Sequence, residues 1–576
     1  MTLGIIFVTG SNYFTILIPQ KIREALDLVQ DKIQLFKSLE GTQQVSLYED
    51  LGSILLMFGL TVTFFAIIKG IMMYYMRQTL IVMSRLIEYD MRKEVFNHIQ
   101  TLDQTYLRTH QTGDIMARVS EDVSKVRDYL GPGILYGINL VTLFIMTIYA
   151  MLQVDVKLTL YSLIPLPFLS ISIYYVSKMI NEKSTLIKQQ LSVLNSNAHE
   201  AYSGIRVIKS YAKEDQFSSY FDAQSEEFKK RSLELAKIEA YFQPLMVLLI
   251  SISTLLVVLV GGFQVYNGEL TTGNIAEFIL YVNMLTWPVT AIGWIASVIQ
   301  EAEASQKRIN ELLSVKSNIE NTNIQNYDIK GDIEFRNVSF IYPNTGVRAL
   351  NNLSFTLKRG QRMAVMGRTA SGKTTIADLL MRMFDINEGQ ILIDGMDIKE
   401  HNLKVIRERI SCVPQDVFLF SDTIAANIEF GKDGVSMETI KTYAENAAIR
   451  DEIENLPKQF ETLVGERGLT LSGGQKQRIS IARAFIKKSD IVILDDALSA
   501  VDTTTEQKIL NYFDTSLMGK TTIIITNRAN NLLNYDQIII LENGEITEKG
   551  THEQLLVNGG FYASIYQQQM MQQNVG

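Results

Sequence analysis

The stretch that decides the fold is Gly367-Arg368-Thr369-Ala370-Ser371-Gly372-Lys373-Thr374, which fits the pattern G-x-x-x-x-G-K-[ST]. Residues 363–366 before it are expected to form a strand, and residues 375–383 after it a helix, the context that a phosphate-binding loop requires. Its glycines let the loop wrap closely around a phosphate, while its amides and the helix N-terminus supply positive potential. We expect Lys373 to reach the β- and γ-phosphates and Thr374 to bind Mg²⁺.

A second element supports this interpretation further along the chain. Residues 491–495 read IVILD, a hydrophobic strand that ends in the carboxylate of Asp495. The end of such a strand is the expected place for an acid that holds the Mg²⁺ shell. A glycine-rich turn alone can arise by chance, but the loop and the acid together indicate a nucleoside triphosphate site.

The overall composition excludes several classes of protein. At 576 residues the chain is too long for one domain, and its 47% hydrophobic content excludes disorder. The single cysteine, Cys412, excludes an internal disulfide and a cysteine-rich zinc site. A net charge of −8 argues against a nucleic-acid binder, because such proteins usually carry a basic excess.

Hydrophobicity is concentrated in the first half of the chain. Six long apolar stretches occur there, at residues 1–20, 51–76, 129–154, 158–177, 241–268 and 275–300. A helix needs about 20 mostly apolar residues to cross a bilayer, and soluble core helices rarely run this long without a charge. Beyond residue 310 the apolar runs are short and β-branched, which is typical of buried parallel strands.

Lysine and arginine in the connections set the orientation of these spans. Residues 77–128 carry eight of them and 178–240 carry ten, whereas 21–50 carry four and 267–274 none. The two basic segments are therefore expected in the cytoplasm, as helical extensions of the spans. Six spans return the chain to its starting side, so the second half is also cytoplasmic. The first span lacks a basic flank, which leaves open a missing cytoplasmic lead-in helix or a misassigned start.

The second half resembles a known family at a specific motif. The run 471–478, LSGGQKQR, is similar to the LSGGQ signature of the ABC (ATP-binding cassette) ATPases. The resemblance assigns the signature to five residues that act on a partner's ATP: Leu471, Ser472, Gly473, Gly474 and Gln475.

Other elements resemble the family in order across roughly residues 331–565. Tyr342 is similar to the aromatic residue that stacks on adenine, and Gln415 to the Q-loop glutamine that senses Mg²⁺ and the attacking water. Asp502 lies in a run that resembles the D-loop, and residues 464–468 resemble the exporter segment that precedes the signature. The resemblance implies a Mg²⁺ site at Thr374, Gln415 and Asp495. It implies an ATP site at Tyr342, Gly367, Arg368, Thr369, Ala370, Ser371, Gly372, Lys373, Thr374 and Thr375.

Six spans ahead of one cassette resemble a type IV ABC exporter half-transporter. The implied fold is an α-helical six-span transmembrane domain with long cytoplasmic helix extensions, followed by an α/β P-loop ATP-binding domain. We expect the transmembrane domain at residues 1–313, a linker at 314–330 and the ATP-binding domain at 331–576. Residues 106–114 and 203–209 resemble the two coupling regions that press on cassettes. The implied location is the cytoplasmic membrane, with the cassette inside the cell.

Two residues depart from the family pattern at catalytic positions. Asp496 stands where the family has Glu, the general base that polarises water, and Asn527 stands where it has the switch histidine. A carboxylate one methylene shorter retracts its oxygen by roughly 1 Å, which can cost on the order of 100-fold in rate. Asn can still hydrogen-bond near the γ-phosphate but cannot carry a positive charge. Either both positions tolerate drift, or the cassette binds ATP well and hydrolyses it poorly.

A cassette that binds ATP well and hydrolyses it poorly resembles the degenerate-site subunit of heterodimeric multidrug exporters. The implied partner is a second half-transporter carrying Glu and His, whose site this chain's signature completes; a homodimer with slow turnover stays open. We expect ATP and Mg²⁺ as cofactors, an amphipathic drug or lipid as substrate, and no nucleic acid. A lipid flippase and an ATP-gated regulatory subunit are the remaining alternatives. The six spans exclude a soluble ABC ATPase.

The membrane half carries few polar signals. Trp287 and Trp294 lie seven residues apart on one face of the last span. Helix packing or interfacial anchoring explains them better than contact with a drug. Glu277 lies near the start of that span, where we expect interfacial solvation rather than contact with a cationic substrate.

Overall fold

The structure is a computed structural model that describes residues 1–38, 42–321, 325, 327–465, 468, 470–516, 519–529 and 532–573. The chain forms two compact units. One contains residues 1–99 and 113–314, and the other contains residues 100–112 and 315–576. Residues 100–112 therefore group with the second half of the chain, whereas the sequence predicted them within the first.

The first unit is built from helices. Those of the first half of the chain are α1 (Thr2–Ser38), α2 (Thr42–Thr101), α3 (Gln104–Thr109), α4 (Thr112–Ala117), α5 (Val123–Asp128), α6 (Ile134–Val154), α7 (Val156–Leu163), α8 (Pro165–Ser203), α9 (Ile205–Ser210), α10 (Glu214–Tyr266) and α11 (Thr272–Ser314). Two short π-helical turns, Arg118–Asp122 and Tyr129–Gly133, connect α4, α5 and α6. Of these helices only α3 belongs to the second unit.

Within the described residues, six helical segments are long and apolar enough to span a membrane. They are Thr2–Ile33, Leu47–Thr101, Thr112–Val154, Val156–Ser203, Glu214–Tyr266 and Thr272–Ser314. Each overlaps one of the six apolar stretches of the sequence and most extend far beyond it, so the six-span fold with long helix extensions is confirmed.

Large apolar side chains hold the spans together at one buried cluster. Met151 of α6 and Leu158 of α7 pack there with Val257 of α10 and with Phe278 and Tyr281 of α11. All five are 0% exposed. Hydrogen bonds add to this packing, since the buried Oγ of Ser253 donates to a backbone carbonyl across 2.8 Å.

The second unit contains two sheets. Its strands are β1 (Ile333–Ile341), β2 (Arg348–Leu357), β3 (Arg362–Gly367), β4 (Glu388–Ile393), β5 (Met396–Asp397), β6 (Ile410–Val413), β7 (Ile491–Asp495), β8 (Thr521–Ile525), β9 (Gln537–Glu542) and β10 (Glu545–Gly550). One antiparallel sheet has the order β2-β1-β4-β5, and the other has the order β10-β9-β3-β8-β7-β6. In the larger sheet β9, β3, β8, β7 and β6 are parallel, and β10 is antiparallel.

Helices surround these sheets. They are α12 (Lys373–Leu380), α13 (Leu403–Arg409), α14 (Ile424–Glu429), α15 (Met437–Asn446), α16 (Arg450–Glu454), α17 (Gly473–Ile486), α18 (Thr503–Ser516), α19 (His552–Asn558) and α20 (Phe561–Gln573). Every residue of β7 and β8 is buried, as the sequence predicts for short β-branched strands. The α/β character of this unit is therefore confirmed.

Strand order positions the site. Because β8 lies between β3 and β7 and all three are parallel, their carboxyl ends meet at one edge of the sheet. Open parallel sheets bind ligands at this edge. The phosphate-binding loop follows β3, Asp495 ends β7 and Asp496 follows it, and Asn527 follows β8.

Candidate nucleotide-binding site

A cavity of about 300 Å³ lies at this edge of the sheet. It is lined by Tyr342, Val347, Ala349, Thr369, Ala370, Ser371, Gly372, Lys373, Thr374, Thr375, Gln415, Asp495, Asp496, Ile525, Thr526 and Asn527. All the predicted catalytic and Mg²⁺-binding residues and most of the predicted ATP-binding residues therefore line one cavity. Gly367 and Arg368 are not among its lining residues.

The loop between β3 and α12 needs glycine at two positions. Gly367 has φ +150° and Gly372 has φ +99°, both in the region that favours glycine. A Cβ atom on Gly367 would lie 2.2 Å from the carbonyl oxygen of Leu541, and one on Gly372 would lie 2.3 Å from that of Ala349. The tight path of the loop around the cavity therefore depends on both glycines.

Lys373 supplies the positive charge of the loop. It is the first residue of α12, and its Nζ donates to the carbonyls of Gly367 at 2.7 Å and Arg368 at 2.8 Å. Burial lowers the pKa of Lys373, and the nearby carboxylates of Asp495 and Asp496 oppose that shift. Anions favour such a charged helix N-terminus. An ammonium held at this loop by two carbonyls can meet the negative charge of a nucleotide's phosphates.

A buried hydroxyl adds to this fit. Ser371 is 4% exposed, and its Oγ has no hydrogen-bond partner among the described residues. A buried polar atom without a partner is costly unless something satisfies it. A phosphate oxygen in the loop would accept this hydrogen bond.

Two adjacent carboxylates lie at the carboxyl end of β7, Asp495 as its last residue and Asp496 directly after it. Burial raises the pKa of Asp495, and a hydrogen bond from Thr374 together with the charge of Lys373 works against it. Asp496 has φ +48°, and its N–H donates to the carbonyl of Ile525 at 2.9 Å. Burial also raises the pKa of Asp496, against the opposing charges of Lys373 and Arg528. The threonine hydroxyl and the Asp495 carboxylate offer the hard oxygen ligands that Mg²⁺ prefers.

Tyr342, which lines the cavity, belongs to an aromatic cluster. The hydroxyl of Tyr342 lies 3.0 Å from the Oγ1 of Thr375, and its ring contacts Phe340 and Phe384 edge to face. A ring fixed by such contacts is suited to stacking on a flat base. Arg108 of α3 lies against the same cluster, a contact that the sequence did not predict beyond the resemblance of residues 106–114 to a coupling region.

The comparisons with known proteins agree with this geometry. Residues 1–289 match the family described as ABC transporter transmembrane region, and residues 350–499 match the family described as ABC transporter. The chain belongs to the ABC transporter family. It is 37% identical over 505 residues to the Bacillus subtilis "Probable multidrug resistance ABC transporter ATP-binding/permease protein YheI", covering 87% of this chain and 86% of that protein.

Other similarities identify this ABC transporter as an exporter. It is 34% identical over 483 residues to the "ATP-dependent lipid A-core flippase" of Pseudomonas syringae pv. syringae, covering 83% of this chain and 80% of that protein. A solved bacterial Atm1-family ABC exporter with ATP bound has a TM-score of 0.76 and 25% identity, covering 98% of this chain and 97% of that one.

This ABC exporter is therefore an ATP-hydrolysing transport ATPase that spans the cytoplasmic membrane several times, with its ATP-binding domain in the cytoplasm. ABC exporters function as dimers in the lipid bilayer.

The signature of this ABC exporter is not part of its own cavity. Ser472 caps α17 in a capping box with Gln475, and Gly473 and Gly474 open that helix. A Cβ atom on Gly474 would lie 2.8 Å from the carbonyl oxygen of Ala500. None of the predicted signature residues, Leu471, Ser472, Gly473, Gly474 and Gln475, lines the cavity, and their action on a partner's ATP stays a prediction.

The predicted D-loop residue Asp502 also lies outside the cavity lining. Its Oδ1 accepts from the backbone N–H groups of Thr504 at 3.1 Å and Thr505 at 3.0 Å, at the start of α18. These hydrogen bonds hold the pKa of Asp502 below its usual range. Of the predicted exporter segment 464–468, residues 466 and 467 lie outside the described residues.

The two tryptophans of α11 contact one tyrosine of α6. Tyr136 of α6 contacts Trp287 with ring centres 5.5 Å apart and Trp294 at 5.6 Å. These contacts fit the favoured explanation, helix packing or interfacial anchoring, which stays a prediction because Trp287 is 43% and Trp294 45% exposed. The explanation favoured for Glu277 is wrong, because its side chain is 0% exposed and pairs with Arg23 of α1.

Proposed function

We propose that this chain is the degenerate-site subunit of a heterodimeric exporter of amphipathic drugs or lipids. The observation that carries the proposal is Asp496, which takes the place of the family's general base at the cavity edge. Asn527 across the same cavity supports it, because a neutral amide replaces a residue that can carry a positive charge. The intact signature supports it too, since this chain would complete a competent site on its partner.

In this proposal the cavity binds ATP with Mg²⁺ and turns it over slowly. Tyr342 stacks on the base, while Lys373 and the loop amides hold the phosphates. Thr374, Gln415 and Asp495 would hold Mg²⁺, which neutralises phosphate charge when bound. Mg²⁺ commonly binds through one or two carboxylates and substrate phosphates, which suits this small set of donors. Asp496 and Asn527 would orient the attacking water poorly.

Transport would follow from alternating access. Two ATP molecules close the paired cassettes, the cytoplasmic helix extensions come together, and the cavity between the membrane domains opens outward. Hydrolysis and phosphate release reset the cycle. We propose a membrane domain over residues 1–313, a linker over 314–330 and an ATP-binding domain over 331–576, with residues 100–112 working alongside the last.

A groove in the membrane unit supports an amphipathic substrate. A cavity of about 610 Å³ lies between α8 and α11. Buried Ile173 and Val289 line it together with the exposed Lys178 and Asn181. Apolar and polar groups in one groove suit a molecule with both characters. A lipid flippase is a second candidate, favoured by the similarity to the lipid A-core flippase.

The deciding experiment is the native mass of the affinity-tagged chain, recovered in mild detergent from its own host membrane. A complex with a second, different chain of similar size would support the heterodimer. A complex of twice 65.2 kDa would overturn it and favour a slow homodimeric exporter or flippase.

A kinetic experiment tests the site assignment in the same complex. Replacing the partner's general-base Glu is expected to abolish transport, whereas Asp496→Asn is expected to leave most of it. Equal loss from both changes would contradict the degenerate site. Transport that continues with hydrolysis blocked in the partner would favour an ATP-gated regulatory subunit.

A further inference from the structure

The last helix of the chain contacts the backbone next to Asn527. Gln569 of α20 donates from its Nε2 to the carbonyl of Asn527 at 2.8 Å, and its Oε1 accepts from the N–H of Ala529 at 2.7 Å. One side-chain amide thus bonds the backbone on both sides of Arg528, in the manner of a neighbouring strand. Residues 527–529 are named the switch segment below.

The switch segment is also connected to the D-loop. The guanidinium of Arg528 donates to the carbonyl of Ser499 at 3.1 Å and to that of Val501 at 3.4 Å, and it pairs with the buried carboxylate of Glu506. Ser499 and Val501 immediately precede Asp502. The position of the Arg528 backbone therefore determines where its guanidinium can bond the D-loop.

Helix α20 is held in place by packing at its first turn. Tyr562 is fully buried in a cluster with Leu532 and with Ala529, the last residue of the switch segment. The first residue of the helix, Phe561, lies under the guanidinium of Arg368 from the phosphate-binding loop, 5.9 Å from the ring centre. The helix therefore touches the cavity's surroundings at both the loop and the switch segment.

We propose that Gln569 is a positioning residue that holds the switch segment, presenting Asn527 to the ATP cavity and Arg528 to the D-loop. It does not line the cavity, so it acts through the backbone of residues 527–529. The inference rests on the proposed function only in treating this cavity as a working ATP site. It applies equally to a homodimer and to a heterodimer.

The test compares Gln569 with its sequence neighbour. Gln569→Ala removes both hydrogen bonds, and Gln568→Ala is the matched control because Gln568 is exposed on the same helix. In the purified full-length complex, with the partner's site silenced if the partner is a different chain, we expect Q569A to lower kcat for ATP hydrolysis about tenfold, with KM for ATP within about twofold of the parent. Q568A is expected to change neither. Equal kcat in the two variants would overturn the proposal.

Two further measurements separate positioning from general stability. Gln569→Glu keeps an acceptor for the Ala529 N–H but loses the donor to Asn527, so its kcat should fall between those of Q569A and the parent. A loss that follows the melting temperature, equal in Q569A and Q569E, would contradict positioning.

The second measurement is a double-mutant cycle with Arg528→Gln. If Gln569 acts through the switch segment, the double variant loses clearly less kcat than the two single losses predict together, because part of the effect of Gln569 passes through Arg528. Fully additive losses would overturn the proposal. This outcome does not depend on the native mass, so failure here is distinct from failure of the heterodimer.

Discussion

Arg23 of α1 donates a hydrogen bond to Glu277 of α11 across 3.1 Å. The Glu277 side chain is 0% exposed, and its other oxygen accepts from the hydroxyl of Tyr281 at 2.9 Å. Asp27, one turn beyond Arg23, accepts at 2.9 Å from the N–H of Gly273 at the start of α11. The first and last spans are thus joined by polar contacts that include a buried ion pair.

Removing the cation from this pair should destabilise the membrane unit. Arg23→Ala leaves a carboxylate buried without its partner, which typically costs about 3–5 kcal/mol of unfolding free energy. The measurement is thermal unfolding of the detergent-solubilised protein. Lys21→Ala is the matched control on the same helix, since the pair of Lys21 with Glu24 is partly exposed and worth about 1 kcal/mol or less.

A second variant checks the cause of the loss. Glu277→Gln in the Arg23→Ala background removes the buried charge and keeps an acceptor for Tyr281. We expect it to restore part of the lost stability. If R23A and K21A have the same melting temperature, the pair of Arg23 with Glu277 adds no stability and the burial argument fails.

The sequence predicted most of the fold because the relevant patterns are local. A span needs only an uninterrupted apolar run, and β7 and β8 needed only short β-branched runs. Residues 367–374 were recognisable as a phosphate-binding loop because a predicted strand precedes them and a predicted helix follows. The grouping of residues 100–112 with the cassette was not predictable, because α3 is short and no composition change marks it.

The partners of single polar residues were the part that sequence reasoning missed. Arg23 and Glu277 are 254 residues apart, and Gln569 and Asn527 are 42 apart. An isolated charge in a span looks the same whether water or a distant arginine satisfies it. Residues 567–569 are three consecutive glutamines, and the sequence does not indicate which of them bonds the backbone near Asn527. Such partners become known only from the packing of the folded chain.

Arg108 is expected to strengthen ATP binding through Tyr342. Its guanidinium lies 5.6 Å from the centre of the Tyr342 ring and 5.0 Å from that of Phe384, and it pairs with Asp378 at 3.4 Å. A cation over an aromatic face is worth about 0.5–1 kcal/mol at exposed sites. Arg108→Ala should therefore weaken ATP affinity about two- to fivefold, measured by displacement of a fluorescent nucleotide.

Arg336→Ala supplies the control for Arg108. Arg336 is an exposed arginine of the same unit, and its carboxylate partner, Glu334, lies on the same strand rather than at the cavity. Arg108→Lys keeps the ion pair but loses the flat guanidinium, so it should lie between R108A and the parent. Affinities of R108A and R336A that agree within error would refute a link to the base pocket.

Glu452 makes the signature helix sensitive to acid. Burial would raise the pKa of Glu452, but hydrogen bonds from Arg478, at 2.6 Å, and Gln475, at 2.9 Å, outweigh it and lower the pKa below the usual 4.5. A carboxylate with a lowered folded-state pKa adds stability above its unfolded pKa. That stability is lost as pH falls through the folded value.

Glu452→Gln should accordingly lower unfolding stability at pH 7 and matter less with falling pH below about 4.5. Because the Glu452 side chain is 43% exposed, the difference at pH 7 should be small, about 1 kcal/mol or less. The measurement is chemical unfolding of the solubilised protein between pH 3.5 and pH 7, on the order of the pKa range of carboxyl groups. Glu438→Gln, on the exposed face of α15, is the control. A difference that stays constant with pH would contradict the assignment.

The degeneracy of the cavity should be reversible in part. Asp496→Glu extends the carboxylate by one methylene toward the attacking water, and a misplacement of about 1 Å can cost on the order of 100-fold. In a complex whose partner site is silenced, we expect D496E to raise kcat for ATP hydrolysis about 10- to 100-fold. Asn527→His should add to this gain by restoring a residue that can carry a positive charge.

The control for this gain is Asp433→Glu, the same extension on an exposed turn of the cassette. It should leave kcat unchanged. Because the backbone of Asp496 has φ +48°, a conformation that aspartate tolerates better than most residues, D496E also has to be checked for folding by its melting temperature. A well-folded D496E with unaltered kcat would mean that carboxylate reach does not limit turnover, leaving Asn527 as the residue that weakens this site.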